Sequence, residues 1–146
     1  MRPMWILTAL LAASAVPAMA QSRAVTHVDS EKVAAALAGG RGSGSLVATK
    51  DFTVLGIHRT GPGQVEVHDH ETDIFYVTEG DATLVTGGTM VGGKQTAPGQ
   101  HRGTDINGGQ AQRLKKGDVV TIPAGVPYWF KDVSPSISYL TVKVIK

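Results

Sequence analysis

The chain has 146 residues, 42% of them hydrophobic, with 14 Lys and Arg against 12 Asp and Glu and a formal net charge of +2. That length suits one domain, and basic residues scattered without a stripe of interleaved aromatics argue against a nucleic-acid-binding surface. There is no Cys, so packing, alone or with a metal, has to hold the domain without disulfides.

Residues 1–20 read as an export signal. Arg2 supplies a positive start, Trp5 to Ala15 is almost unbroken apolar sequence, and Ala18 and Ala20 are the small residues that a signal peptidase needs. A spanning helix needs roughly 20 apolar residues, so the run reads as a cleaved signal and not as an anchor. Cleavage is expected before Gln21. No Cys follows that site to carry a lipid. The expected location is periplasmic or secreted, with no membrane contact after cleavage.

Residues 21–45 read as a lead with a short helix. Asp29 or Ser30 caps an Ala-rich helix over Glu31–Ala38, closed by Gly39-Gly40. Glu31 sits in its first turn, where the helix dipole favours an acid. Arg41 to Ser45 is Gly- and Ser-rich and reads as a loop.

Residues 46–146 read as the β domain. Expected strands are Phe52–Arg59, Gln64–His68, Ile74–Thr78, Ala82–Thr86, Val119–Ile122, Tyr128–Lys131 and Ile137–Val144. Glu79-Gly80-Asp81 reads as the turn between two of them. Short strands without intervening helices predict an antiparallel sandwich or barrel. Residues 87–112 form a long polar, Gly-rich segment that reads as a loop. Loops of that length are functional or disordered, and one over the mouth of a barrel would bring His101 and Arg102 with it.

Two clusters carry the chemistry. The first is Val65-Glu66-Val67-His68-Asp69-His70-Glu71-Thr72-Asp73. Side chains two apart on a strand share a face, so Glu66, His68 and His70 lie on one side and Val65 and Val67 on the other. Alternation does not say which side is inside. Two imidazoles with a carboxylate, from Asp73 or Glu71, form a ligand set for a divalent transition ion. The second cluster, Gly117 to Trp129, reads as turn, strand, turn, strand, with Pro123 and Gly125 making the second turn. On its own it is an ordinary hairpin.

Together the clusters resemble the two signature motifs of the cupin family. Gly63, His68, His70, Asp73 and Gly80 follow the order of the first motif, and Gly117, Pro123 and Gly125 stand at the spacing of the second. The resemblance spans most of Val54 to Val144. It implies a small antiparallel β-barrel of the double-stranded jelly-roll type, all-β apart from the N-terminal helix. It also implies a divalent ion (iron, manganese, zinc or nickel) held by His68, His70 and Asp73. Three departures stand out. Tyr128 replaces the metal-binding His of the second motif. Asp73 replaces a Glu. Counting back from Gly80 at family spacing puts the ligand positions at Val67 and Asp69, whereas residue type puts them at His68 and His70. A turn shortened by one residue before Asp73 would reconcile the two.

Tyr128 reads as a hydrogen-bond donor to a substrate, because a free phenol titrates near 10. If the 87–112 segment folds over the mouth, Arg102 reads as a partner for a ligand carboxylate or phosphate; otherwise it reads as a solvated loop charge. His27, His58 and His101 have no assigned chemistry, and Trp129 and Phe130 read as packing. The expected function is an exported cupin acting on a small polar metabolite as an oxygenase, isomerase or lyase. The alternative is a non-catalytic barrel that binds a sugar or organic acid. A small-molecule ligand is the expected partner, and a homodimer through the outer sheet face is a further expectation.

Overall fold

A computed structural model describes residues 24–39 and 44–146. The expected signal at 1–20, the first residues of the lead at 21–23, and 40–43 of the closing glycines and expected loop lie outside those residues.

One helix, α1 (Ser30–Ala38), precedes the strands. Asp29 is its N-cap, and its Oδ1 accepts from the Lys32 amide at 2.8 Å. That bond satisfies one of the donors a helix start leaves open. No α1 residue is fully buried. The helix rests on small residues instead: a Cβ at Gly56 would stand 2.7 Å from the Ala36 Cβ. Helix and strand can meet this closely because Gly56 has no side chain. Ser138 Oγ donates to the Leu37 carbonyl at 3.2 Å and ties the helix end to the sheet.

The strands are β1 (Gly44–Ala48), β2 (Phe52–Arg59), β3 (Val65–His68), β4 (Glu71–Thr86), β5 (Thr89–Val91), β6 (Lys94–Ala97), β7 (Gln100–Gly103), β8 (Asp105–Asn107), β9 (Gln110–Lys115), β10 (Val119–Ile122) and β11 (Tyr128–Ile145). Every pairing is antiparallel. The expected strands at Phe52–Arg59 and Val119–Ile122 have the observed bounds. Strand β1 starts at Gly44, inside the stretch read as a loop.

Two pairs of expected strands are in fact single long ones. β4 runs through Glu79-Gly80-Asp81, so the turn expected there is corrected to a corner within a strand. Gly80 takes φ +73°, and a Cβ on it would run into the Ser136 carbonyl oxygen. Opposite, β11 shifts register between Val133 and Ile137. A positive-φ Gly facing an irregularity lets both strands bend without separating.

This corner organises the molecule. The first half of β4 pairs with β10 and with the second half of β11, which also pairs with β2. The second half of β4 pairs with β9 and with the first half of β11, which reaches β3 at Tyr128↔Glu66. The two long strands therefore serve two groups of strands, with the core drawn from both. Phe75, Tyr139 and Phe130 form its aromatic centre, and Phe130 and Tyr139 stack at 5.1 Å between centroids. Leu84, Val77 and Ile137 are fully buried around it.

The stretch 87–112 is largely strand and not a long loop. β5 pairs with β8, β6 with β7, and β7 with β3. Its Gly residues mark tight turns; Gly99, at φ +68°, turns β6 into β7. The missing signal is hydrophobic alternation: every residue of β6 is exposed, so nothing in its pattern distinguishes strand from loop.

Candidate functional site

Strand β3 is covered on both faces, with Val65 fully buried on one and Glu66 and His68 facing a cavity on the other. The cavity is of about 330 Å³, and Asp73, Tyr128, Arg59, Arg102, Thr141 and Lys143 also line it. Asp73 reaches it from β4 and is fully buried, and Tyr128 reaches it from the start of β11. The second-motif turn docks directly on the first cluster: the Gly125 amide donates to the His68 carbonyl at 2.8 Å.

His70 does not join this group. β3 ends at His68, and Asp69 and His70 form the exposed link to β4. His68 therefore shares its face of the cavity with Glu66, and His70 lies outside the cavity. Glu66 and His68 are two apart on one strand and precede Asp73 without any shortened turn. Glu66 belongs to the same i, i+2 face already apparent in the sequence; residue type had favoured a His over it.

The Tyr128 hydroxyl is the hub of the site. It lies 2.8 Å from Asp73 Oδ2, 3.0 Å from His68 Nε2 and 3.2 Å from Glu66 Oε2. The hydroxyl has one proton for these three neighbours and can donate it to one at a time. On the far side of the His68 ring, Nδ1 bonds the Gln100 side-chain amide. Gln100 and Arg102 come from β7, opposite His68 and Glu66 in register. The segment read as a loop therefore does reach the cavity.

The charges are matched. Arg59 and Arg102 approach Glu66 at 3.3 and 3.1 Å. The Lys143 ammonium lies 2.8 Å from Asp73 Oδ1 and 3.0 Å from Glu71 Oε2. Arg59 also donates to the Tyr139 hydroxyl at 2.9 Å. Burial pushes the Glu66 carboxyl up, but the His68 ring and the two guanidinium groups outweigh it and hold it at about 2. Burial, with Glu66 and Asp73 alongside, pushes the Tyr128 phenol well above its ordinary range. Tyr128 is thus a protonated donor at neutral pH. Thr141 Oγ1 is buried without a hydrogen-bond partner.

His68, Glu71 and Asp73 each offer a ligand atom within 4.8 Å of the others. As arranged, the set does not fit a divalent ion. Lys143 stands between the same two carboxylates as a cation already in place.

The remaining candidates are accounted for elsewhere. His27 is exposed. His58 Nδ1 meets Ser138 Oγ at 2.8 Å, and His101 Nε2 meets Asp69 Oδ2 at 2.9 Å. Phe130 is core, and Trp129 Nε1 donates to the Gly63 carbonyl at 2.8 Å. Arg59, Gln100, Tyr139, Thr141 and Lys143 were not singled out from the sequence. The visible signal for the last three was their i, i+2 spacing along β11.

A family model described as Cupin matches residues 20–144. No curated protein sequence matches the chain. Among solved structures, BH2720 from Bacillus halodurans is similar at a TM-score of 0.61 and 12% identity, over 86% of this chain and 85% of that one. An uncharacterised protein with a double-stranded β-helix domain from Klebsiella pneumoniae subsp. pneumoniae gives 0.55 and 19%, over 90% and 91%. KdgF from Halomonas sp. gives 0.52 and 15%, over 71% and 79%. At these identities the structural likeness speaks for the fold alone.

Proposed function

The chain belongs to the cupin family, and from that premise we propose that it is an exported protein whose cavity binds a small polar metabolite and moves a proton on it. One observation carries the reading: the protonated Tyr128 hydroxyl lies within 3.2 Å of His68 Nε2 and two carboxylates in the wall of a cavity of about 330 Å³. Cavities of that size suit small metabolites. Arg102, Arg59 and Lys143 offer cationic contacts to a ligand carboxylate, and the unpartnered Thr141 hydroxyl offers a neutral one.

In this reading Tyr128 is the general acid. Desolvation keeps its proton on at neutral pH, and a bound ligand oxygen replaces one of its three partners. Asp73 and His68 are the groups that take up or return the proton. Glu66 fixes the Arg59 and Arg102 heads. Proton transfer of this kind serves isomerases and lyases acting beside a carbonyl or hydroxyl. No step is assigned to a metal, because Lys143 already neutralises Asp73 and Glu71 and the Tyr128 hydroxyl already bonds His68 Nε2.

Export belongs to the same proposal. The expectation is that Gln21 is the first residue of the protein recovered from the periplasmic or secreted fraction, read by N-terminal sequencing. Function is tested by thermal-shift titration of residues 21–146 against hydroxy acids, keto acids, uronic acids and polyols. NMR of the mixture then follows each ligand that stabilises the protein. The expected result is a ligand whose stabilisation is lost in Tyr128→Phe and Arg102→Ala and which is converted over time. A ligand recovered unchanged would make the protein a binding barrel instead. Stabilisation that survives both substitutions would place the ligand outside this cavity.

A further inference from the structure

We propose that Lys143 is the resident cation of this site, standing between the Asp73 and Glu71 carboxylates that would otherwise be free to hold a divalent ion, and that it is the reason the donor set does not take up a metal. The inference rests on the metal-free reading above and adds the residue responsible for it.

Placement by the fold comes first. Lys143 pairs with Asp73 in the β11–β4 register, so the two side chains emerge side by side from neighbouring strands. Residues 139, 141 and 143 alternate on one face of β11, and Tyr139, Thr141 and Lys143 all line the cavity. The Lys143 head therefore arrives among the acids because its strand directs it there.

Its contacts come next. The ammonium lies 2.8 Å from Asp73 Oδ1 and 3.0 Å from Glu71 Oε2. Asp73 is fully buried, and the Lys143 side chain is only 21% exposed. A buried carboxylate needs a counter-charge, and here the protein supplies it covalently. An ammonium has three donors in a compact head, so Lys143 can hold one oxygen of each carboxylate together. A divalent ion bonding those oxygens would lie against the ammonium and meet its full positive charge.

The other half of the site is closed in the same manner. Asp73 Oδ2 bonds the Tyr128 hydroxyl, which also caps His68 Nε2. Arg59 and Arg102 neutralise Glu66. Three carboxylates thus face three fixed cations. Removing the Lys143 charge leaves Asp73 and Glu71 as an uncompensated pair beside an imidazole, which is a metal-binding composition.

The experiment titrates Co²⁺ into residues 21–146 and reads the visible ligand-field absorption, with calorimetry in parallel. It compares the unaltered sequence with Lys143→Met, which keeps the length of the side chain and removes its charge. Lys143→Gln is the second variant, and circular dichroism confirms the fold of each. The expected result is Co²⁺ affinity at least tenfold tighter in the Lys143 variants than in the unaltered protein. That gain should be lost again in the double variants with Glu71→Gln or Asp73→Asn. One equivalent of tightly held Co²⁺ in the unaltered protein would overturn the inference and the metal-free reading together. Unaltered protein and folded Lys143 variants that bind Co²⁺ equally weakly would overturn the inference alone and leave the proton-transfer reading standing.

Discussion

At Tyr128 and Glu66 two neighbouring acids are driven in opposite directions by their surroundings. The phenol is buried against carboxylates and keeps its proton; the carboxyl is buried against cations and loses it. The second shift has a consequence for stability. The folded-state value of Glu66, about 2, lies below its ordinary 4.5. A depressed carboxyl stabilises the fold fully above about pH 4.5, and that contribution drains away as the pH falls toward 2. Its size is about 3 kcal/mol. Urea unfolding followed from pH 6 to pH 2.5 should therefore show a steep loss of stability that is much shallower in Glu66→Gln. Equal slopes for the two proteins would mean that the Arg59 and Arg102 contacts do not hold in solution. These residue-scale facts were only partly legible. His68, Asp73, Tyr128 and Arg102 stood out by type and motif, and the cavity brings them together. Glu66 was hidden by the pattern His68-Asp69-His70, because two His residues two apart look like a ligand pair wherever the strand ends.

Among the elements, β4 and β11 depend on the Gly80 corner. Gly80 and Gly125 have similar positive φ, +73° and +80°, but differ in their surroundings. A Cβ at Gly125 meets nothing within 4 Å, whereas one at Gly80 meets Ser136 backbone. Gly125→Ala should therefore carry only the strain of a left-handed conformation, on the order of 1 kcal/mol. Gly80→Ala adds a backbone collision and should cost clearly more, as read from urea midpoints. If the two variants lose the same stability, the close approach at the corner is not a packing constraint. The sequence marked Gly80 as a point where the chain changes direction, but it could not distinguish a reversal from a bend. A turn closes on its own hydrogen bonds, whereas this corner is held by β11, more than 50 residues away in sequence. The same holds for β5 to β8: their turns are written in Gly residues, and their pairing is not.

For the whole molecule, the shared strands predict cooperativity. Each group of strands uses half of β4 and half of β11, so neither can unfold while the other keeps its pairings. Far-ultraviolet and near-ultraviolet circular dichroism should therefore report one coincident unfolding transition. Separate midpoints would show that the two groups are independent units. Among the described residues no helix is long and apolar enough to cross a membrane. The sequence by itself determined the family, the antiparallel β class, the helix with a cap at Asp29 or Ser30, and the turn of the second motif. These rest on local chemistry: Pro and Gly at required backbone angles, β-branched runs, and a side chain capping its own helix. Only the tertiary structure decided which residues line the cavity. Strand termination at His68 leaves His70 outside it, pairing of β7 with β3 brings in Gln100 and Arg102, and the β11 register sets Lys143 against Asp73. Those outcomes depend on which distant strands lie side by side, and a one-residue change in where a strand ends moves every later side chain to another face.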